Sequence, residues 1–586
     1  MKAWAWALCL ALAAGNAAAA PDDQARELMR AAQSDLAVGR NPDAVQKLER
    51  ALAASPSEPL AADVQASLGS AYLATGRIAD AERVLTAAIE RARKANRPQT
   101  QAAALNDLGN LRAVQGRFAD AQASYRDAIE AAGAAGSKAL AARASTNLAR
   151  ALADEGKRAE ATSLLPKVAA DLRTLPASRD KAYGLVSVGR LYARLGDAPR
   201  SASVLREALE AADAANDTRA RSTALGYLAE LYDRGGRTAD ALQLTQRAIV
   251  SAEEADAPEL LYRWQWQKAR LLKAQGERDE AILAYQHAVR TFSTVRADLA
   301  ATPGRGAFRE SVGPLFAELA DLLLDQSGRL SDAKVASSYL AEARSTMELF
   351  KGAELQDYFQ DDCVAALRAR TTGIDQLAPQ TAALYPIILK DRLELLLTLP
   401  DGIKRFTARV DGDTLTREIR SFRVLLEKRT TSEFYPHARQ LYDWIIGPIA
   451  AELDRQQINT LVVVPDGALR TIPLAALHDG KDFLVARYAI ATTPGLTLTD
   501  PRPLPRQNAK VLLNGLTSGV QGFAPLPYVG QELDAIHSIY GGRVLRDSDF
   551  TVANMEKDLE QTPYSIVHIA SHGQFAAEVD KTFLLT

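Results

Sequence analysis

Glycine returns on a fixed step through the first half of the chain. Gly76, Gly116, Gly156, Gly196, Gly236 and Gly276 stand 40 residues apart, and Gly39 precedes the first by 37. Five of them share one local phrase: ATGRIADAERVL, VQGRFADAQASY, DEGKRAEATSLL, RGGRTADALQLT and AQGERDEAILAY. A period of this size marks a solenoid or array, in which each unit stacks on the next because none can bury its apolar face alone. An amphipathic helix precedes each glycine, and a polar turn leads from it into a second helix. The glycine supplies the left-handed backbone that ends the first helix.

Small residues recur at three places in this unit. Gly69, Gly109, Ala149, Gly189, Ala229 and Ala269 stand seven before the turn glycine. Ala44, Ala81, Ala121, Ala161, Ala241 and Ala281 stand five after it, and Ala51, Ala88, Ala128, Ala208, Ala248 and Ala288 twelve after it. Small residues let two helices approach closely. Tyr72, Leu85, Tyr125, Leu205, Tyr232 and Tyr285 are expected as core, filling the space between helix pairs. A non-repeating bundle would not hold the step five times. The pattern resembles the tetratricopeptide repeat, in a variant of about 40 residues with longer helices. The expectation is an α-solenoid of helix pairs over residues 22–300, about seven units. Such an array offers an extended concave surface, whose default work is to bind a protein or peptide. The charged run Glu90 to Lys94 is read as a solvated helix face.

The 586 residues allow three to four domains, or one long array plus a domain. A net charge of -2 gives no basic surface for a polyanion, so nucleic acid is disfavoured as a partner. The start, MKAWAWALCLALAAGNAAAAPDD, has Lys2, an apolar run from Ala3 to Ala14 and then small residues, the layout of a secretory signal peptide over residues 1–19. The run is short for an uncleaved membrane anchor. The expected location is therefore exported, periplasmic or secreted from a bacterium, with no membrane span after cleavage. Cys9 leaves with this leader. Cys363 then stands alone, so no disulfide is expected within these residues.

Residues 301–370 read as a helical connector, with Gly328-Arg329 as an irregular eighth turn. The segment AEARSTMELFKGAELQDYFQDDCVAAL reads as one long helix. Asp361 and Asp362 beside Cys363 would suppress its thiolate, so this cysteine is read as inert. Past Leu377 the pattern changes. Apolar runs around Pro400-Asp401-Gly402 suggest strand, turn, strand. A helical segment follows, roughly 412–453. Then strands and helices alternate: Leu461 to Val464, RYAIATTPG, AKVLLNGL, GQELDAIHSIYGG, RVLRDSDFT, TVANMEKDLEQ and YSIVHIASHG. Alternation with strands apolar on both faces argues a mostly parallel sheet covered by helices. Ligand sites in such sheets lie beyond the carboxyl ends of the strands, where His572-Gly573 stands.

The ordered segments VPDGALRTIPLAAL, LPYVGQELDAI and IVHIASHGQF resemble the CHAT domain, a caspase-like family related to separase and the gingipain peptidases and associated with tetratricopeptide repeats. The resemblance implies an α/β caspase-like domain over residues 375–586. It also implies a catalytic dyad, a histidine after one core strand and a cysteine after the next. His572 matches that histidine and would be the general base, a role that imidazole chemistry suits. Gly573 would present its N–H to the developing oxyanion. No cysteine follows His572. The strand expected to begin at Phe583 is cut by Thr586, so the domain is expected to be incomplete, with its nucleophile beyond Thr586.

Other chemistry fits poorly. His568 and His572 share a spacing of four, but Ile569 stands where a zinc protease needs glutamate, so no metal is expected. His568 reads as a buried structural residue, and His287, His437, His478 and His537 have no partners at ligand spacing. There is no G-x-S-x-G turn and no sign of a cofactor. Two functions remain. One is an exported caspase-like cysteine endopeptidase acting on a protein substrate and controlled by partner binding to the repeats. The other is an interaction scaffold with a silent CHAT module.

Overall fold

Helix pairing in the first 300 residues follows the 40-residue phrase. A computed structural model describes residues 21–37, 40–300, 307–359, 379–428, 430–498, 509–574 and 583–586. The leader, Gly39 and Cys363 lie outside the described residues. The chain divides into two compact units. The first runs to Asp357 and adds the Ile387–Leu397 and Gly402–Leu415 segments; the second holds the remainder.

In the first unit, helices run in antiparallel-paired order from Pro21–Ala37 and Asn41–Ala53 to Pro258–Gln275 and Arg278–Ala300. An eighth pair, Ala307–Ser327 and Ala333–Phe359, continues the array, with Gly328 in its turn. Gly76, Gly116, Gly156, Gly196, Gly236 and Gly276 all have positive φ, between 73° and 92°. At Gly116, Gly156, Gly196, Gly236 and Gly276 an added Cβ would meet nothing within 4 Å, so backbone conformation and not space requires glycine. A second left-handed series, Asn96, Gly136, Asn216 and Asp256, turns the chain from one unit to the next.

The small positions face the large ones. A Cβ at Gly69 would lie 2.5 Å from Leu85 Cγ, one at Gly109 2.5 Å from Tyr125 Cε1, and one at Gly189 2.7 Å from Leu205 Cγ. These contacts join the two helices of one unit, so Leu85, Tyr125 and Leu205 fill space within a pair, while the Tyr72 and Tyr285 hydroxyls reach Glu49 and Glu318 on neighbouring pairs. Leu85, Tyr125, Leu205 and Tyr285 are buried. Tyr232 is the exception, half-buried under the Arg237 guanidinium, 4.3 Å from its ring centroid. Burial pushes the Tyr125 phenol up to about 12, which keeps it a neutral donor to Asn110 Oδ1 at 2.9 Å.

First helices of successive units pack on one another more closely than second helices do. The first helices therefore line the inside of the curve. Polar pairs about one period apart stitch neighbours together: Arg97 to Asp63 at 2.7 Å, Arg173 to Glu207 at 2.7 Å and Arg117 to Glu82 at 3.4 Å. Exposed pairs of this kind contribute about 0–1 kcal/mol each, so burial of the alanine-rich seams carries the array.

Three strands, not two, occupy the region around Pro400: β1 Thr381–Ile388, β2 Leu393–Leu399 and β3 Gly402–Ala408. The polar triplet Lys390-Asp391-Arg392 breaks what reads in sequence as one apolar run. With β4 Thr460–Val463 and β5 Ala489–Thr492 they form a sheet of order β3-β2-β1-β4-β5. β1 pairs β4 and β4 pairs β5, both parallel. The expected helical segment 412–453 is broken into Gly412–Leu426, Phe434–Ile445 and Gly447–Arg455.

A second sheet, of order β7-β6-β8, contains β6 Val511–Gly515, β7 Arg543–Arg546 and β8 Ile566–Ala570, again all parallel. β6 is buried throughout. Its last residue must be small: a Cβ at Gly515 would lie 2.6 Å from Val529 Cγ1, on the helix Val529–Tyr540 that covers the sheet. β8 is an edge strand among the described residues, and Val567 is 42% exposed, against the expectation of a buried strand. The segment from Phe583 is not a parallel core strand. β10 Phe583–Leu584 pairs antiparallel with β9 Gly573–Gln574, and both its side chains are exposed. The molecule is thus an α-solenoid followed by a region of mostly parallel α/β structure.

Candidate functional site

β8 ends at Ala570, and Ser571, His572 and Gly573 follow at the carboxyl end of the parallel sheet. The backbone here is fixed from two sides. Leu516 N–H donates to the Ala570 carbonyl at 3.1 Å, and Leu585 N–H donates to the His572 carbonyl at 2.8 Å. The Ser571 hydroxyl donates to the Leu585 carbonyl. Leu585 itself is buried with Leu512, Leu516, Leu545 and Phe550, which anchors the short ladder.

His572 is half-buried. Its Nε2 lies 2.7 Å from the Ala524 carbonyl oxygen. A carbonyl only accepts, so Nε2 carries the proton, and Nδ1 of the neutral ring keeps its lone pair. The Phe523 ring packs against the imidazole at 5.1 Å between centroids, and Phe583 meets Phe523 edge-on at 6.0 Å. Gly573 pairs with Leu584 in β9–β10. Because the Leu585-to-His572 bond closes one side of that pair, it is a non-hydrogen-bonded one, and the Gly573 N–H points away from β10. A base nitrogen and a backbone donor thus stand on consecutive residues.

Sequence reasoning missed the loop that holds the ring. After β6 the chain makes a closed excursion, Thr517 to Leu526, whose ends join by Leu526 N–H to the Thr517 carbonyl at 3.2 Å. Gly519 permits it: a Cβ there would lie 2.9 Å from the Phe523 carbonyl oxygen. Asp547, just beyond β7, secures the loop. Its carboxylate accepts from Thr517 N–H and Thr517 Oγ1, both at 2.7 Å, and from Ser518 N–H at 3.1 Å. Burial pushes the Asp547 carboxyl up, and these hydrogen bonds outweigh it, holding it below the usual aspartate value. Asp547 has φ 50°, a left-handed conformation that aspartate tolerates. Its signal in sequence is only the phrase RDSDF after a short strand.

The other histidines go elsewhere. His568 Nε2 lies 3.0 Å from Glu532 Oε1, away from the His572 partner. His568 is half-buried, not buried. His437 Nδ1 lies 2.7 Å from Glu418, and His478 Nδ1 accepts from Gly480 N–H. Among the described residues no three His, Cys, Asp or Glu side chains gather as a metal site, and no helix is long and apolar enough to cross a membrane.

A helical-repeat solenoid joined to an α/β region with a histidine at a strand end is the class defined so far. Comparison specifies both parts. Residues 436–586 match the CHAT domain family, and residues 29–99 and 106–165 match the tetratricopeptide repeat. The chain carries both. None of the curated proteins compared matches it. Among solved structures, BtubC (BKLC) from P. vanneervenii is 18% identical, with a TM-score of 0.30 over 40% of this chain and 92% of that one. The Rap conjugation gene regulator of plasmid pLS20 with the Phr* peptide is 16% identical, at 0.34 over 45% and 74%. A Rap protein complexed with competence and sporulation factor is 14% identical, at 0.34 over 57% and 100%.

Proposed function

We propose that this chain is an exported protein in which the CHAT domain supplies the histidine of a caspase-like cysteine endopeptidase site, and the solenoid binds a protein or peptide that controls it. The observation that supports this most is the bond from His572 Nε2 to the Ala524 carbonyl. It leaves Nδ1 as the basic atom, beside an outward Gly573 N–H. In this reading Nδ1 takes the proton of a cysteine thiol. The thiolate attacks the scissile carbonyl carbon, Gly573 N–H stabilises the oxygen that gains charge, and the imidazolium returns its proton to the departing amine. Base assistance contributes roughly a hundred- to ten-thousand-fold in rate, and one oxyanion donor about a hundred- to a thousand-fold. Export is proposed from Lys2 and the apolar run after it.

The reaction needs a cysteine that these residues do not supply after His572. The regular helix pairs of the array favour a second reading, a binding protein whose CHAT domain is silent. One experiment separates them. The intact protein from its source is treated with a thiol-directed electrophilic peptide probe, beside its His572→Ala variant. Labelling that drops at least tenfold in the variant supports the peptidase. Equal labelling of both, or none of either, leaves the binding protein.

A further inference from the structure

Two adjoining cavities open on the first-helix face in the middle of the solenoid. They measure about 330 and 210 Å³ and share Thr146 and Ser187 in their walls. The helices Lys138–Asp154, Arg179–Leu195 and Thr218–Arg234 line most of them, with Leu172 and Leu205 from the second helices behind. Five arginines reach these walls, Arg143, Arg150, Arg190, Arg194 and Arg234, against two acids, Asp180 and Glu230. The chain as a whole carries a net charge of -2. The positive charge is therefore a local concentration.

Folding of the repeat does not ask for it. Arg150 and Arg190 stand six residues before their turn glycines, where earlier units hold Ser70 and Asn110. Arg194 and Arg234 stand two before theirs, where earlier units hold Ala74 and Val114. Through the array the first of these positions runs Ser70, Asn110, Arg150, Arg190, Glu230 and Arg270, and the second Ala74, Val114, Asp154, Arg194, Arg234 and Ala274, so the repeat fixes neither residue type nor charge there. Two of the four are internally satisfied: Arg194 pairs with Asp154 and Arg234 with Glu230. Arg150 has no ion-pair partner among the described residues and donates to Asn147 Oδ1 at 2.5 Å. Arg190 has none either, and lies over the Tyr227 ring at 4.2 Å from its centroid. Stacking on an aromatic face holds a guanidinium flat and leaves its edge free to meet a planar acceptor. Leu191, Leu205 and Leu231 supply apolar wall between these charges.

We infer that the cavity binds an acidic peptide segment, with carboxylates on Arg150 and Arg190 and an apolar side chain among the leucines. This rests on the reading that the first-helix face binds a protein or peptide, and it names the chemistry and the units. A guanidinium grips a carboxylate through two parallel N–H bonds, so the pair selects for Glu or Asp and not for charge alone.

The test uses the full chain and fluorescein-labelled peptides of alternating Glu and Leu, Gln and Leu, or Lys and Leu, read by anisotropy. The Glu peptide is expected to bind at least tenfold tighter than the Gln peptide and to weaken as salt rises. The double variant Arg150→Asn, Arg190→Ser, built from residues that the array already uses at this position, is expected to lose at least tenfold affinity at unchanged melting temperature. Glu and Gln peptides binding alike, or a double variant without effect, would overturn the inference. A random-peptide pool selected on the same protein keeps the broader reading separate. Enrichment of non-acidic peptides sinks the acidic preference alone, and no enrichment sinks both. Tighter binding of a single-stranded oligonucleotide than of the Glu peptide would also overturn it.

Discussion

Glu394 accepts from Arg405 through both carboxylate oxygens, Nη2 to Oε1 at 2.6 Å and Nε to Oε2 at 2.9 Å, with no solvent exposure of the carboxylate side chain. Arg392 Nε and Thr407 Oγ1 complete its shell at 2.5 and 2.9 Å. The same arginines reach the helix Ala307–Ser327: Arg405 Nη1 donates to the Leu324 carbonyl at 2.6 Å, and Arg392 Nη2 to Asp321 Oδ1 at 2.6 Å. One buried carboxylate thus ties β2 to β3 and both to the last helix pair of the array.

Removing that carboxylate leaves the Arg405 guanidinium with the Leu324 carbonyl alone, while Arg392 keeps Asp321. Glu394→Ala is expected to destabilise the hairpin by roughly 3–5 kcal/mol, the usual cost of breaking one side of a buried ion pair. Hydrogen exchange at the β2 and β3 amides is the measurement, because a chain of two compact units need not melt in one step. Slow exchange retained in the variant would show the network to be dispensable.

The same group sets an acid limit. Burial pushes the Glu394 carboxyl up, but Arg405 and Arg392 outweigh that and hold it below the ordinary glutamate value. A depressed carboxylate contributes fully above its unfolded value, about 4.3, and loses that contribution as pH falls through the lower folded value. Exchange in β2 and β3 should therefore accelerate below about pH 4. In Glu394→Gln that acid step should be absent.

Gly226 admits an indole. A Cβ there would lie 2.3 Å from Trp264 Cζ2, and Trp264 is buried, its Nε1–H bonded to Ser222 Oγ at 3.0 Å. Gly226→Ala should cost about 1–3 kcal/mol, as overpacking of a rigid core does, even though alanine favours the helix. Tryptophan emission should shift to the red as Trp264 is displaced. Unshifted emission with unchanged stability would mean the helices simply part.

His572 should hold its proton on Nε2. A long-range nitrogen–proton spectrum of ring-labelled protein, at a pH where His572 is neutral, is expected to show a protonated Nε2 and a bare Nδ1. The reverse tautomer would remove the proposed base.

Asp547 should govern the order of the loop above it. Asp547→Ala removes acceptors for two N–H groups and a hydroxyl at the base of the loop. It also puts alanine at a positive φ. Proteolysis between Ser518 and Phe523 should become faster in the variant, while cleavage elsewhere stays unchanged.

The solenoid was legible because its rules are written in residue types at a fixed distance. Gly76 to Gly276 mark one turn, and Gly69 opposite Leu85 and Gly109 opposite Tyr125 mark the seam. The second turn was not legible, since Asn96, Gly136, Asn216 and Asp256 meet one backbone demand with three different side chains. The split of β1 from β2 was hidden by a run that is apolar except for three residues. At the site, His572 and Gly573 stand out by type and place. Their orienting partner does not: the Ala524 carbonyl is backbone, and no letter encodes it.

The bonds between units join residues nearly one period apart, as Arg97 does to Asp63 and Arg173 to Glu207. A loss of forty codons from one turn glycine to the next would bring together faces already made to meet. The array is therefore countable. Evolution can lengthen or shorten it by whole units with no new stereochemistry, and can move the arginine-bearing units toward or away from either end without redesigning them.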